Sequence, residues 1–363
     1  MKVLPIPRLY LGTMTFGWSQ SSSYVDEGIA KSMMQKFINL EKKISSNSND
    51  KYYIDTARIY AGGKTESIIG QILKDTSTSS NPDFNSVVIG TKAHPSQPNG
   101  LSPKGITDQL KASFDAMGVE SVDEFYLHQP DTEHSLLESL QCVDQLVKDG
   151  KIKTVGMSNY HVTEVSRTFE LCEEYNLRKP TVYQGLYNPL NRVVEKELLP
   201  LLKANKCSFV AYNPLAAGLL TGKHKQGNKE VAKGRFKNNQ NYLPRFYTDE
   251  NFNALKLIQD ACEKEGITLL DATFQWFLRY SALTEADGVL LGASSIQQLE
   301  QNLDACLSAS SEDTLLSPEV LKAFDDAWKV SEPIAFPYWR SYSSDMPNRE
   351  SLDQGASYSA AKK

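Results

Sequence analysis

Leu9-Tyr10-Leu11-Gly12-Thr13-Met14-Thr15-Phe16-Gly17 is the first apolar run of the chain together with the turn that follows it. An open, doubly wound sheet that binds a dinucleotide carries G-x-G-x-x-G at this place, because the second glycine lets the backbone approach a pyrophosphate. Here Met14 stands where that glycine belongs. Similar short runs begin near Tyr52, Ser86, Val122, Ile152, Thr181, Cys207 and Gly288, at intervals of 43, 34, 36, 30, 29, 26 and 81 residues. A strand–helix unit needs about 30 residues, so the beat is that unit repeated. The stretches between runs have helical period: Leu136, Leu137, Leu140, Val143, Leu146 and Val147 share one face, with Glu138, Gln141, Asp144 and Lys148 opposite. Thr132 or Ser135 is placed to cap that helix and Gly150 to end it. Polar and aromatic residues gather at the C-terminal ends of the runs, which is where a closed (β/α)8 TIM barrel builds its active site. The reading is a single barrel over residues 1–340.

Three segments fall outside the beat. Residues 41–51 and 75–86 are polar connections that precede strands and belong on the face opposite the site. Residues 216–248, rich in Gly, Lys and Asn, follow the seventh run and read as a lid loop on the site's own face. Residues from about 315 onward read as a C-terminal cover, and 341–363, with six serines and no periodicity, as a disordered tail.

Bulk chemistry excludes several classes. The 363 residues carry 39 basic and 44 acidic side chains, a net charge of −5 that does not suit a general binder of nucleic acid or of an acidic membrane. Cys142, Cys172, Cys207, Cys262 and Cys306 are too widely spaced for a zinc hairpin or a redox turn, and reduced thiols fit a cytoplasmic protein. Met1 to Arg8 contains two prolines and an arginine where a signal peptide needs an apolar run. No stretch approaches the roughly 20 apolar residues of a membrane span. Gly63-Lys64-Thr65 resembles the end of a phosphate loop, but Arg58 occupies the position that motif reserves for its first glycine. The histidines form no HExxH, and no metal is expected.

The second run ends in Asp55-Thr56-Ala57-Arg58-Ile59-Tyr60, the third in Gly90-Thr91-Lys92 and the fourth in Phe125-Tyr126-Leu127-His128. A barrel brings neighbouring strand ends together, so Asp55, Tyr60, Lys92 and His128 converge on one pocket. That set suits acid catalysis on a carbonyl. A nearby ammonium favours phenolate and so makes a tyrosine a better proton donor near neutrality. Asp55 keeps the ammonium charged and fixed, and His128 orients and polarises the carbonyl oxygen. Each residue also has a plainer reading: a structural ion pair for Asp55 and Lys92, a half-buried aromatic for Tyr60, a turn hydrogen bond for His128. A Schiff-base lyase using Lys92 as nucleophile is a rival from another enzyme class. A cofactor-binding regulatory subunit with little turnover is a third.

D-T-A-x-x-Y, T-K, F-Y-L-H and G-x-S-N, in this order and spacing, resemble the aldo-keto reductase superfamily. The stretches Pro180–Asn188, Ala211–Lys223 and Gly292–Asn302 resemble, more narrowly, its aflatoxin-aldehyde reductase branch, which includes succinic semialdehyde reductases. The resemblance runs from about Leu11 to Arg340. It implies a barrel oxidoreductase that reduces aldehydes with NADPH, as a monomer or homodimer, with Tyr60 as proton donor, Lys92 and Asp55 as the pair that tunes it, and His128 orienting the substrate. It places the nicotinamide carboxamide on Ser158, Asn159 and Gln184, and its ring on Tyr212. Asn213, Pro214, Leu215, Gly218, Leu220 and Lys223 match the cofactor loop, and Arg235 a lid arginine near the phosphates. Ser294, Ser295, Gln298, Gln301 and Asn302 match the adenosine-phosphate segment. Ser294 and Ser295 also open a helix after a strand, which by itself makes a phosphate cradle or an ordinary N-cap. The lysine and arginine with which many relatives grip a 2′-phosphate are absent from 294–302, so NADH is an alternative cofactor, with Lys223 and Arg235 as compensation for NADPH. Tyr242, Arg245 and Arg340 match contacts to acidic aldehydes.

Overall fold

The computed structural model describes residues 5–356 except 20, 22, 45–50, 79–83, 85, 225, 227–235 and 237–241. Eight parallel strands close into a barrel in chain order. They are β1 (Arg8–Gly12), β2 (Tyr52–Asp55), β3 (Val87–Ala93), β4 (Val122–Leu127), β5 (Ile152–Ser158), β6 (Val182–Leu186), β7 (Ser208–Tyr212) and β8 (Gly288–Gly292). Closure is made by β1 lying in register with β8, Arg8 beside Gly288 through Gly12 beside Gly292. The TIM-barrel reading of the opening turn is therefore correct.

The helices are α1 (Glu27–Ile44), α2 (Lys64–Thr78), α3 (Pro103–Met117), α4 (Leu136–Lys148), α5 (Val162–Glu174), α6 (Leu198–Ala204), α7 (Leu243–Phe246), α8 (Asp249–Glu265), α9 (Leu269–Gln275), α10 (Ile296–Ala309) and α11 (Pro318–Ser331). Local chemistry starts several of them. Ser102, Ser135, Thr248, Thr268, Ser295 and Ser317 each accept a backbone N–H from the first turn of α3, α4, α8, α9, α10 and α11. The long interval between β7 and β8 is filled by α7, α8 and α9, and α8 packs on α11 at the outside of the barrel.

Side chains alternate between the helix layer and the barrel axis. Along β4, Phe125 and Leu127 join the large core, whereas Tyr126 belongs to a separate interior cluster with Tyr10, Val182 and Val210. Large interior rings lie opposite glycines. A Cβ on Gly156 would stand 2.4 Å from Tyr126, and one on Gly288 would stand 2.6 Å from Tyr10. Those two strands thus give up side chains so that the axis can hold two phenols.

One expectation needs correction. The tail reading for residues 341–363 fails over 341–356, which pack as a strap against the segment after β4 and the N-terminal turns of α4 and α5; residues 357–363 lie outside the described residues. Tyr342 and Ser343 are 1% exposed, and Asp345 accepts hydrogen bonds from Leu136 N (2.8 Å), Ser135 Oγ (2.9 Å) and Arg167 Nη2 (2.9 Å). The strap therefore supplies an anionic cap to the N-terminus of α4, where backbone N–H groups have no partner within the helix. A short polar segment without periodicity gave no sign of this, because its partners are helix ends about 200 residues away in sequence.

Candidate active site

β2 ends in Asp55, and β3 carries Lys92 on the barrel axis. Lys92 Nζ donates to Asp55 Oδ1 at 2.5 Å and to the Thr56 carbonyl at 2.8 Å, while Gln184 Nε2 donates to the same Asp55 oxygen at 2.8 Å. Burial draws the Lys92 ammonium below its ordinary value, and the Asp55 carboxylate works against that. Lys92 Nζ lies 5.4 Å from the centre of the Tyr60 ring.

Tyr60 is held by a turn whose sequence logic is visible only in three dimensions. Arg58 N donates to the Lys92 carbonyl at 3.2 Å. The Arg58 guanidinium reaches Glu66 at 2.5 Å, and the other Glu66 oxygen accepts the Thr91 hydroxyl at 2.7 Å. Ala61, Gly62 and Gly63 then take φ of 48°, 64° and 93°. A Cβ on Gly63 would fall 1.5 Å from Arg58 Nη2, so glycine is required where the guanidinium crosses. Gly63-Lys64-Thr65, set aside as a phosphate loop, is thus the end of the tyrosine turn.

His128 follows β4, and its ring meets Tyr60 edge-on at 5.9 Å and His94 at 4.9 Å. Burial pushes His128 well below the ordinary histidine value, and His94, Lys92 and Arg340 push the same way. His94 falls to about 4, through burial and then Arg340. His94 Nδ1 accepts the Ser96 backbone N–H at 3.0 Å, which leaves the proton on Nε2. Both imidazoles are neutral at neutral pH. Nδ1 of His128 is buried and has no hydrogen-bond partner among the described residues.

These groups open on a cavity of about 860 Å³. Its wall includes Asp55, Tyr60 and His128 at one end, then Ser158, Asn159, Gln184 and Tyr212, and Ser294, Gln298, Gln301 and Asn302 at the other. Lys92 is 0% exposed and sits behind the wall. Asn159 is left-handed (φ 64°) and spends its amide on the His128 carbonyl and Ser158 Oγ, both at 2.9 Å; its Oδ1 accepts the Tyr212 hydroxyl at 2.8 Å. At the far end Ser294 N and Oγ both donate to Gln298 Oε1, at 3.0 and 2.9 Å. Asn213, Pro214, Leu215, Gly218 and Lys223 line the cavity, and so do Tyr242 and Arg340.

Some expected residues lie elsewhere. Leu220 is fully buried beside the cavity, Ser295 is the N-cap of α10, and neither lines the wall. Arg245 also lies off the wall, with its guanidinium 3.9 Å from the centre of the Phe336 ring. Arg235 lies outside the described residues. Sequence reasoning missed Met14 and Trp18 in the turn after β1, His224 and Phe236 between β7 and α7, and Leu270 and Asp271 at the start of α9. The aromatic run beyond Gly12 was the available signal for the first of these; nothing local marks the others.

Among the described residues, no group of three or more His, Cys, Asp or Glu side chains is arranged to hold a metal ion, and no helix is long and apolar enough to cross a membrane. A family model for the aldo/keto reductase family matches residues 8–323. Aflatoxin B1 aldehyde reductase member 2 of Rattus norvegicus is 36% identical over 335 residues, covering 89% of this chain and 85% of that protein. The Mus musculus protein of the same name is 39% identical over 288 residues, covering 76% of each. Aldo-keto reductase family 7 member A3 of Homo sapiens is 38% identical over 288 residues, covering 76% of this chain and 84% of that protein.

Proposed function

Because the chain belongs to the aldo/keto reductase family, we propose that it is a cytoplasmic, NADPH-dependent reductase that converts aldehydes to alcohols, with Tyr60 as the proton donor. The observation that carries this reading is the division of the tetrad. Tyr60, His128 and Asp55 line the cavity, while Lys92, paired with Asp55, closes behind them away from solvent.

The volume of the cavity, about 860 Å³, and its polar lining residues suit a dinucleotide. Its far end offers Ser294 N–H and hydroxyl at the start of a helix, donors now turned to Gln298 Oε1 and available to an anion once that side chain rotates. Ser294, Gln298, Gln301 and Asn302 would hold the adenosine end, Asn213 to Leu215, Gly218 and Lys223 the middle, and Ser158, Asn159 and Gln184 the carboxamide. Tyr212 would carry the ring. When bound, the reduced nicotinamide supplies the hydride for the carbonyl carbon.

The protein's own residues govern the proton. Tyr60 Oη gives its proton to the carbonyl oxygen as that oxygen gains charge. Lys92 below the ring stabilises the phenolate that remains, and Asp55 with the Thr56 carbonyl favours the ammonium over the neutral amine. His128, neutral, donates its ring N–H as a hydrogen bond to the same oxygen without releasing that proton. Arg340 on the cavity wall supports an acidic substrate, a short aldehyde bearing a carboxylate such as succinic semialdehyde. The Schiff-base reading of Lys92 is disfavoured by a nucleophile that is 0% exposed and donates to two oxygens.

The test is the absorbance of the reduced cofactor with and without charged and neutral aldehydes, repeated with NADH. Carbonyl-dependent oxidation is expected, faster with carboxylate-bearing aldehydes. Tight cofactor binding without turnover would replace the enzyme by the regulatory-subunit reading.

A further inference from the structure

Beneath Lys92, inside the barrel, lies a third carboxylate that the reaction as described does not use. Glu124 is 7% exposed and shares the axis-facing side of β4 with Tyr126 and His128. In the sheet Tyr126 neighbours Lys92, and Glu124 neighbours Gly90, whose missing side chain leaves room for the carboxylate. Glu124 Oε2 accepts the Tyr126 hydroxyl at 2.7 Å, and Oε1 accepts the Tyr10 hydroxyl at 3.0 Å. Tyr10 in turn lies 3.4 Å from Arg8 Nη1 at the far mouth of the barrel. The Lys92 ammonium is thus held between two rings, Tyr60 above at 5.4 Å and Tyr126 below at 5.3 Å from the ring centres.

We propose that Glu124 is a positioning residue for the catalytic pair: it pins the Tyr126 ring against the ammonium and places a second negative charge beneath Lys92, so that Lys92 stays protonated where burial alone would neutralise it. The proposal rests on the reading of Lys92 as the group that tunes Tyr60. Both oxygens of Glu124 accept phenol hydroxyls and neither donates, the pattern of an ionised carboxylate. Burial raises its proton affinity above the ordinary carboxylate value, and those two hydroxyls offset part of that rise. The titratable groups facing Lys92 are Asp55 and Tyr60 around β2, Glu66 of α2, Glu124 and Tyr126 of β4, and His128 just after it. Those facing Glu124 are Arg8 and Tyr10 of β1, Tyr53 and Asp55 of β2, Lys92 of β3, and Tyr126. Asp55 alone is therefore not the whole counter-charge.

The decisive measurement is a direct titration of Lys92 in protein labelled at the lysine ε-carbon, the resonance being identified by its loss in Lys92→Met. Glu124→Gln, which keeps the shape and removes the charge, is expected to lower the Lys92 midpoint by about half a pH unit or more. The alkaline limb of the kcat–pH profile should move down with it. Tyr10→Phe disturbs the same network but retains the carboxylate, and the midpoint should stay at or above that of the unaltered protein. An unchanged midpoint in Glu124→Gln, or an equal fall in Tyr10→Phe, would overturn the proposal and leave Glu124 as packing. A protein without turnover would remove the reductase reading, yet the Lys92 titration would still decide this one.

Discussion

Lys92 Nζ lies 2.5 Å from Asp55 Oδ1 with neither side chain more than 3% exposed, so an ion pair is almost wholly removed from solvent, Asp55 in the cavity wall and Lys92 behind it. Removing charges from water in this way is costly, and only the mutual attraction and the added hydrogen bonds from Gln184 and to Thr56 offset it. The pair is better understood as chemistry retained against stability than as a source of it.

Lys92→Met should accordingly destabilise the fold by roughly 3 kcal/mol or more, because it leaves a buried carboxylate uncompensated. Adding Asp55→Asn should recover a large part of the loss. Urea unfolding of the two variants checks this, and strictly additive losses would show that the charges do not act as a pair.

Tyr60→Phe keeps the ring against Lys92 and His128 but removes the proton source. Cofactor binding, read by fluorescence quenching, should be unchanged, while kcat for aldehyde reduction falls about 100-fold or more. Turnover within tenfold of the unaltered protein would rule out Tyr60 as the donor.

Arg340 and Arg245 should separate. Arg340 is on the cavity wall and Arg245 lies over Phe336. With Arg340→Gln, KM for a carboxylate-bearing aldehyde is expected to rise about tenfold or more while KM for a neutral one holds, in keeping with loss of a charge-assisted hydrogen bond. Arg245→Gln should change either value less than threefold. The reverse ranking would move the anion site to the lid.

The strap offers a test independent of activity. Asp345→Ala removes the cap on α4 and should cost about 1–2 kcal/mol. Hydrogen exchange should rise in the first turn of α4 and along 340–356. Protection unchanged in both segments would show that the cap does not hold the strap.

Glu164, in the first turn of α5, accepts the Ser343 N–H at 2.9 Å, and burial raises its pKa to about 7. The folded state therefore keeps this proton after the unfolded chain, with an ordinary glutamate value near 4.5, has lost it. Stability is greatest below that lower value and declines as pH rises toward 7. Glu164→Gln should stabilise the protein at pH 8 by up to roughly 2–3 kcal/mol and make little difference at pH 4. Equal effects at both pH values would mean that the carboxyl titrates normally.

Much of the barrel was legible because it repeats. The beat of apolar runs, the missing glycine at Met14 and the clustering of Asp55, Lys92 and His128 at run ends all follow from local sequence, and the eight strands begin within a residue of the runs. The cap of α4 was half legible: Ser135 could be read, but Asp345 is too distant in sequence to be found by any local pattern. The Arg58–Glu66–Thr91 contact that fixes Tyr60 was hidden for the same reason.

By itself the sequence determined the period of the chain, hence the barrel, and the chemical types standing at the strand ends. The tertiary structure decided how those types are shared between wall and interior. It turned Tyr60 and His128 toward the cavity, withdrew Lys92 behind it, set Glu124 beneath Lys92 opposite Gly90, and drew 341–356 onto the N-terminal end of α4. The physical reason is that secondary structure is a local property of backbone and side-chain pattern, whereas burial, pairing of charges and the proton affinities they set depend on which distant strands closure makes into neighbours.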